Sequence, residues 1–204
     1  MADFSQLLPL FGSAFADWAK LFLSPLSNFD MLWIIVPIWG VWIFSEFFQE
    51  KKGTSFGNAI TNGAVMLFVG VDWIRYLVRS ISSGELALDS SLYLKVAISA
   101  FVIIVSTAII ILGIRGRKIV KYIGRVREST YLMLMFTPIV YGVVSLSWRN
   151  LGIIAFFFPV FYIIVAALDR WIPNPKTYEL EEGANANDGY LDMGKGMDFG
   201  KGKF

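Results

Sequence analysis

Residues Leu92–Ile114 read LYLKVAISAFVIIVSTAIIILGI, an apolar run interrupted by one charge, Lys95, near its start. A helix needs about 20 such residues to cross about 30 Å of hydrocarbon. Four further runs share this character: Met31–Phe48, Asn58–Val78, Tyr131–Ser147 and Leu151–Leu168. Lipid offers the backbone no hydrogen bonds, so each run is expected to be helical. The alternating strands of a membrane barrel are absent from the sequence. The predicted fold is all-α: a polytopic transmembrane helical bundle of about five spans in residues 30–172. Residues 1–29 are expected to form an outer-side amphipathic helix, and residues 173–204 a flexible, disordered cytoplasmic tail.

Composition agrees with that division. The chain has 204 residues, 56% of them hydrophobic and 17% charged. Soluble domains carry about 25% charged residues, so the shortfall points to a bilayer. The length leaves no room for a second soluble domain beside five spans. The net charge of +2 is too small to imply a nucleic-acid partner. Cysteine and histidine are both missing. Their absence removes disulfides, thiol catalysis, haem ligation by histidine and the usual zinc sites. It also removes Ser-His and Cys-His nucleophile pairs. No enzyme activity, metal or cofactor is expected.

Charge at the run ends sets the expected orientation. Arg115, Arg117, Lys118, Lys121, Arg125 and Arg127 crowd the link between runs three and four. Short loops rich in Lys and Arg lie on the cytoplasmic side. With Lys51, Lys52, Arg170 and Lys176, ten cations flank the inner ends. Lys20, Arg75, Arg79, Lys95 and Arg149, five in all, flank the outer ends. The chain is therefore expected in the cell membrane with its N-terminus outside and its C-terminus in the cytoplasm. The first charge is Asp3, so the N-terminus lacks the basic start of a secretory signal. Trp33, Trp73, Trp148 and Trp171 fall near the run boundaries, where indole rings gather at the interface.

Three segments lie outside the runs. Phe4, Leu7, Leu8, Phe11, Phe15, Trp18 and Phe22 recur at helical spacing, with Asp3, Ser13, Asp17 and Lys20 on other faces. Pro9 and Gly12 are expected to weaken this helix, and Ser24-Pro25 to end it. The basic link carries an apolar stripe of Ile119, Ile123 and Val126. It is expected to extend the third helix beyond the membrane, its cations facing anionic lipid headgroups. Residues 176–204 hold four Lys, six Asp or Glu and six Gly, too polar to offset the entropy of ordering. Within them Asp192, Gly194 and Lys195 recur as Asp198, Gly200 and Lys201. This motif suits a short peptide that orders on a cytoplasmic partner. It is not a phosphate loop, having no preceding strand and no following Ser or Thr.

Charges inside a span are costly and by default suggest function. Asp72, Arg75 and Arg79 share a face of run two, and Lys95 lies at the same depth in run three. An Asp72–Arg75 or Asp72–Lys95 ion pair would account for them. At the inner side, Glu46 is expected to meet Asn58 or Asn62. Pro37, Pro138 and Pro159 lie inside runs one, four and five and can kink them. Gly63 and Gly70 offer one face for close packing. The expected function is that of a non-enzymatic subunit of a membrane complex, bound to other membrane chains or to itself and, through its tail, to a cytoplasmic protein. A small channel or transporter built as a homo-oligomer is the alternative, with Asp72 as its polar point.

Overall fold

Seven α-helices and one 3-10 turn account for the ordered elements of the computed structural model, which describes residues 4–49 and 53–173. No strand occurs among the described residues. The helices are α1 (Phe4–Leu23), α2 (Phe29–Phe48), α3 (Phe56–Ser82), α4 (Ser90–Ile114), α5 (Val120–Ile123), α6 (Val126–Val140) and α7 (Trp148–Trp171). They belong to one compact unit ending at Trp171, and the unit after it, Ile172–Phe204, lies almost wholly outside the described residues. Three helices, α2, α4 and α7, are long and apolar enough to cross a membrane.

Local chemistry sets the helix limits. The Asn28, Ser55 and Asp89 side chains cap α2, α3 and α4 by accepting from the amides of Asp30, Asn58 and Leu92. A cap of this kind contributes about 1 kcal/mol. Gly84 and Gly116, at φ +76 and +66, turn the chain after α3 and α4 through a left-handed conformation that glycine alone adopts freely. The basic link therefore does not extend α4: Gly116 ends it, and α5 is a separate single turn. Within that link Val120 is buried, whereas Ile119 and Ile123 of the expected stripe are exposed.

Glycine also brings α3 and α4 together. A Cβ on Gly63 would stand 2.9 Å from Ile109, one on Gly70 2.7 Å from Ile103, and one on Gly113 2.5 Å from Ile60. As α3 ascends in number its partners on α4 descend, so the two helices are antiparallel. Small residues at such seams let backbones approach and gain dispersion contact.

α6 sits at the centre. Its Thr137 hydroxyl accepts from Trp73 Nε1 at 3.1 Å and donates to Met133 O at 2.6 Å. Its Tyr131 hydroxyl accepts from Trp18 Nε1 at 3.0 Å and donates to Ile154 O at 2.7 Å. These bonds tie α6 to α3, α1 and α7. The helix occupies Val126–Val140 rather than the predicted Tyr131–Ser147. It stops early because Gly142 takes φ +74 and the amides of Val143 and Val144 fold back onto Pro138 O. At 1.5 Å per residue its 15 residues cover about 22 Å.

α1 is continuous through Pro9 and Gly12 and crosses α7 on aromatic contacts. Phe11, Phe15 and Trp18 all meet Phe157, and Phe22 stacks on Phe161. Leu8, expected on the same apolar face, is exposed. Trp148 and Trp171 are exposed at the ends of α7. Trp73 is not interfacial: it is fully buried, its N–H satisfied by Thr137.

Polarity is distributed inside out. Phe44, Phe68, Phe101, Ile104, Phe156 and Ile163 face outward, while Ser99, Ser106, Asn62 and Thr137 are buried between helices. A protein in water normally exposes only limited apolar patches.

Candidate functional site

Polar side chains gather at the two ends of the helices. At the end where α2 begins and α3 finishes, Asp72 is the centre. Its carboxylate is 9% exposed. One oxygen, Oδ1, accepts from Arg75 Nε at 3.0 Å and Nη2 at 2.6 Å. The other, Oδ2, accepts from the Tyr141 hydroxyl at 2.6 Å. Tyr141 stacks on Tyr76, ring centroids 3.9 Å apart, and its carbonyl accepts from the Tyr76 hydroxyl at 2.9 Å. One turn further along α3, Arg79 Nη2 reaches Asp30 Oδ2 on α2 at 2.7 Å. These groups surround a cavity of about 270 Å³, with Phe29 and Trp33 at its margin.

The expected Asp72–Arg75 pair is therefore formed, and Asp72, Arg75 and Arg79 share one site. Lys95 does not join it by an ion pair. It is 5% exposed, and no carboxylate lies within ion-pair distance of it among the described residues. Its Nζ sits beside Gly142, 3.4 Å from where a Cβ would stand. Asp30, Tyr76 and Tyr141 were not anticipated. Only Asp30 left a trace in the sequence, a carboxylate at the depth of Arg79 on the neighbouring run.

At the opposite end Glu46 is the centre, 4% exposed in its side chain. It takes Arg127 at 2.5 Å through both Nε and Nη2. Asn58 Nδ2 donates to Gln49 O at 3.3 Å, and Asn62 Nδ2 to Gly124 O at 2.9 Å. Arg127 also lies 3.8 Å from Asp169 and over the Tyr162 ring, so it joins α2, α6 and α7. It is thus a bundle clamp, not the lipid-facing cation expected of it. Arg115, Arg117 and Lys118 are exposed. Lys121 covers the Phe56 ring, and Arg125 covers Tyr122 and pairs with Glu128 at 3.9 Å. The tail motif of Asp192, Gly194, Lys195, Asp198, Gly200 and Lys201 lies outside the described residues, as do Lys51 and Lys52.

Val69, Ile35, Ile38, Met135 and Ile139 are fully buried at intermediate depth. Asn62 and Asp72 are ten residues apart on α3, about 15 Å. Asp72 and Asp30 are each held by a guanidinium, that of Arg75 and that of Arg79. No group of three or more metal-ligating residues occurs among the described residues. Comparison with known proteins finds no matching family model, no matching curated protein and no matching solved structure.

Proposed function

We propose that this chain is a non-enzymatic, multi-pass membrane protein that serves as a subunit of a membrane complex. In this reading α2, α3, α4, α6 and α7 cross the bilayer, with the N-terminus outside and the C-terminus in the cytoplasm. The inside-out polarity carries the proposal: an apolar rim faces outward, and polar side chains such as Asn62, Ser99, Ser106 and Thr137 are buried. The alternating helix directions support five crossings. Asp30–Arg79 and the 3.3 Å Asn58–Gln49 bond join opposite ends of α2 and α3, which sets them antiparallel. Trp73–Thr137 and Asn62–Gly124 set α3 and α6 parallel.

Single-cysteine labelling tests the topology, since the chain has no cysteine of its own. Leu88→Cys, Lys118→Cys and Ser145→Cys place thiols in three exposed loops. Five crossings put positions 88 and 145 on one side and 118 on the other. Crossing by α2, α4 and α7 alone would put 88 opposite both 118 and 145 and would refute the five-span reading. Mild-detergent purification from the native membrane tests the subunit role, with stable foreign chains as the expected result.

A homo-oligomeric channel is the second reading. Lys95 favours it, as a buried cation with no carboxylate within ion-pair distance among the described residues. Ion flux in liposomes, lost in Lys95→Met and absent from the parent's monomeric fraction, would support it over the subunit reading.

A further inference from the structure

Phe29 and Trp33 border two cavities at once. One is the polar cavity beside Arg75 and Arg79. The other is an open apolar groove of about 690 Å³ between α2 and α3. It runs along α2 from Phe29 past Pro37 to Val41, with Val65 and Phe68 of α3 on its far wall. At 1.5 Å per residue, Phe29 to Val41 covers about 18 Å. One leaflet is half of about 30 Å of hydrocarbon, or about 15 Å. The groove is thus about one leaflet long, and at its Phe29 end it shares Phe29 and Trp33 with the polar cavity.

We propose that this continuous groove and cavity hold one anionic phospholipid of the outer leaflet. An acyl chain lies along the groove, and the phosphate meets the guanidinium groups of Arg75 and Arg79. The proposal rests on the reading that α2 and α3 cross a bilayer. Each guanidinium has five N–H donors. Asp72 engages Nε and Nη2 of Arg75, and Asp30 engages Nη2 of Arg79. Both arginine side chains remain 57% exposed, so other donors are accessible from the cavity. Trp33, on the margin of both cavities, has the amphipathic ring favoured at headgroup depth. A transmembrane helix from a second copy would fill the groove but leave the guanidinium donors of the mouth without a phosphate.

The test is native mass spectrometry of the full chain in detergent with phosphatidylglycerol, with diacylglycerol of the same chains, and with inorganic phosphate. The parent should retain one phosphatidylglycerol per chain, hold diacylglycerol more weakly, and lose no lipid to inorganic phosphate. Arg79→Gln should weaken retention about fivefold, equivalent to the roughly 1 kcal/mol that a cation near an anionic headgroup supplies. Val36→Trp and Phe68→Trp, both at exposed rim positions, should each block the groove. Circular dichroism identifies a variant that misfolds, and the other rim variant then decides. Equal retention of phosphatidylglycerol and diacylglycerol by the parent would overturn the proposal. So would undiminished retention in a folded rim variant, or a parent dimer that the rim variants dissociate. Alkaline carbonate extraction separates the two levels: release from the membrane refutes the spanning reading, whereas a retained protein without lipid refutes the lipid site alone.

Discussion

The bond from Tyr141 to Asp72 is short, buried and charge-assisted, and removing it should have a measurable cost. Tyr141→Phe deletes the donor and keeps the ring stacked on Tyr76. Hydrogen bonds to charged groups contribute about 1.5–3 kcal/mol in soluble proteins. Interhelical bonds in membranes average about 0.6 kcal/mol and reach about 1.7. The 2.6 Å length and the burial of Asp72 place this bond toward the upper membrane value. Tyr141→Phe should therefore cost about 1.5 kcal/mol, roughly tenfold in the unfolding equilibrium. Asp72→Asn also weakens the Arg75 pair, but that guanidinium is 57% exposed and the pair adds less than about 1 kcal/mol. Its total should be about 2 kcal/mol. Unfolding in mixed micelles, titrated with dodecyl sulfate and followed by circular dichroism, gives all four corners of a double-mutant cycle. The expected coupling is about 1–1.5 kcal/mol. A coupling within the roughly 0.3–0.5 kcal/mol scatter of independent sites would refute the claim that Asp72 acts as a structural acceptor for Tyr141.

Two further changes test the packing at the seam and the clamp. Gly70→Leu forces a side chain into Ile103 and should cost about 1–3 kcal/mol in the same titration, whereas Gly152→Leu, with open space around its Cα, should stay within about 0.5 kcal/mol. Arg127→Met removes the guanidinium that joins α2, α6 and α7 and should cost about 1–3 kcal/mol in the same titration. A loss within about 0.5 kcal/mol would count against the clamp.

Apolar run length made most helices legible, because the rim of the bundle is apolar whatever packs inside. It misled at α6. There Ser129 and Thr130 are buried against other helices and read in sequence as a loop, while Tyr141–Ser147 read as span although Gly142 turns the chain. Trp73 was misplaced for a related reason: an indole near a boundary suggests the interface unless a partner such as Thr137, 64 residues away, satisfies its N–H. The site around Asp72 was half legible. Asp72, Arg75 and Arg79 follow from helical spacing, but Tyr141 and Asp30 reach them only through tertiary packing. Arg127 looked like one more loop cation, since its carboxylate partner lies 81 residues earlier.

The short central helix has a consequence for how the chain is made. In a bilayer α6 begins with Arg127 and Glu128 and carries Ser129, Thr130 and Thr137 besides. A charged residue deep in a membrane helix costs about 2.5–3.5 kcal/mol on insertion scales, and less near an end. At about 22 Å, α6 is also shorter than the hydrocarbon it would have to cross. Its partners for Arg127 and Tyr131 include Asp169 and the Ile154 carbonyl, both on α7. The ribosome delivers those residues after α6 itself. In the five-span reading the α3–α4 hairpin, sealed by its glycines, is complete before α6 is made, whereas α6 waits at the membrane surface until α7 emerges. Synthesis arrested between Val140 and Trp148 should therefore leave a hairpin in place and its central helix still outside.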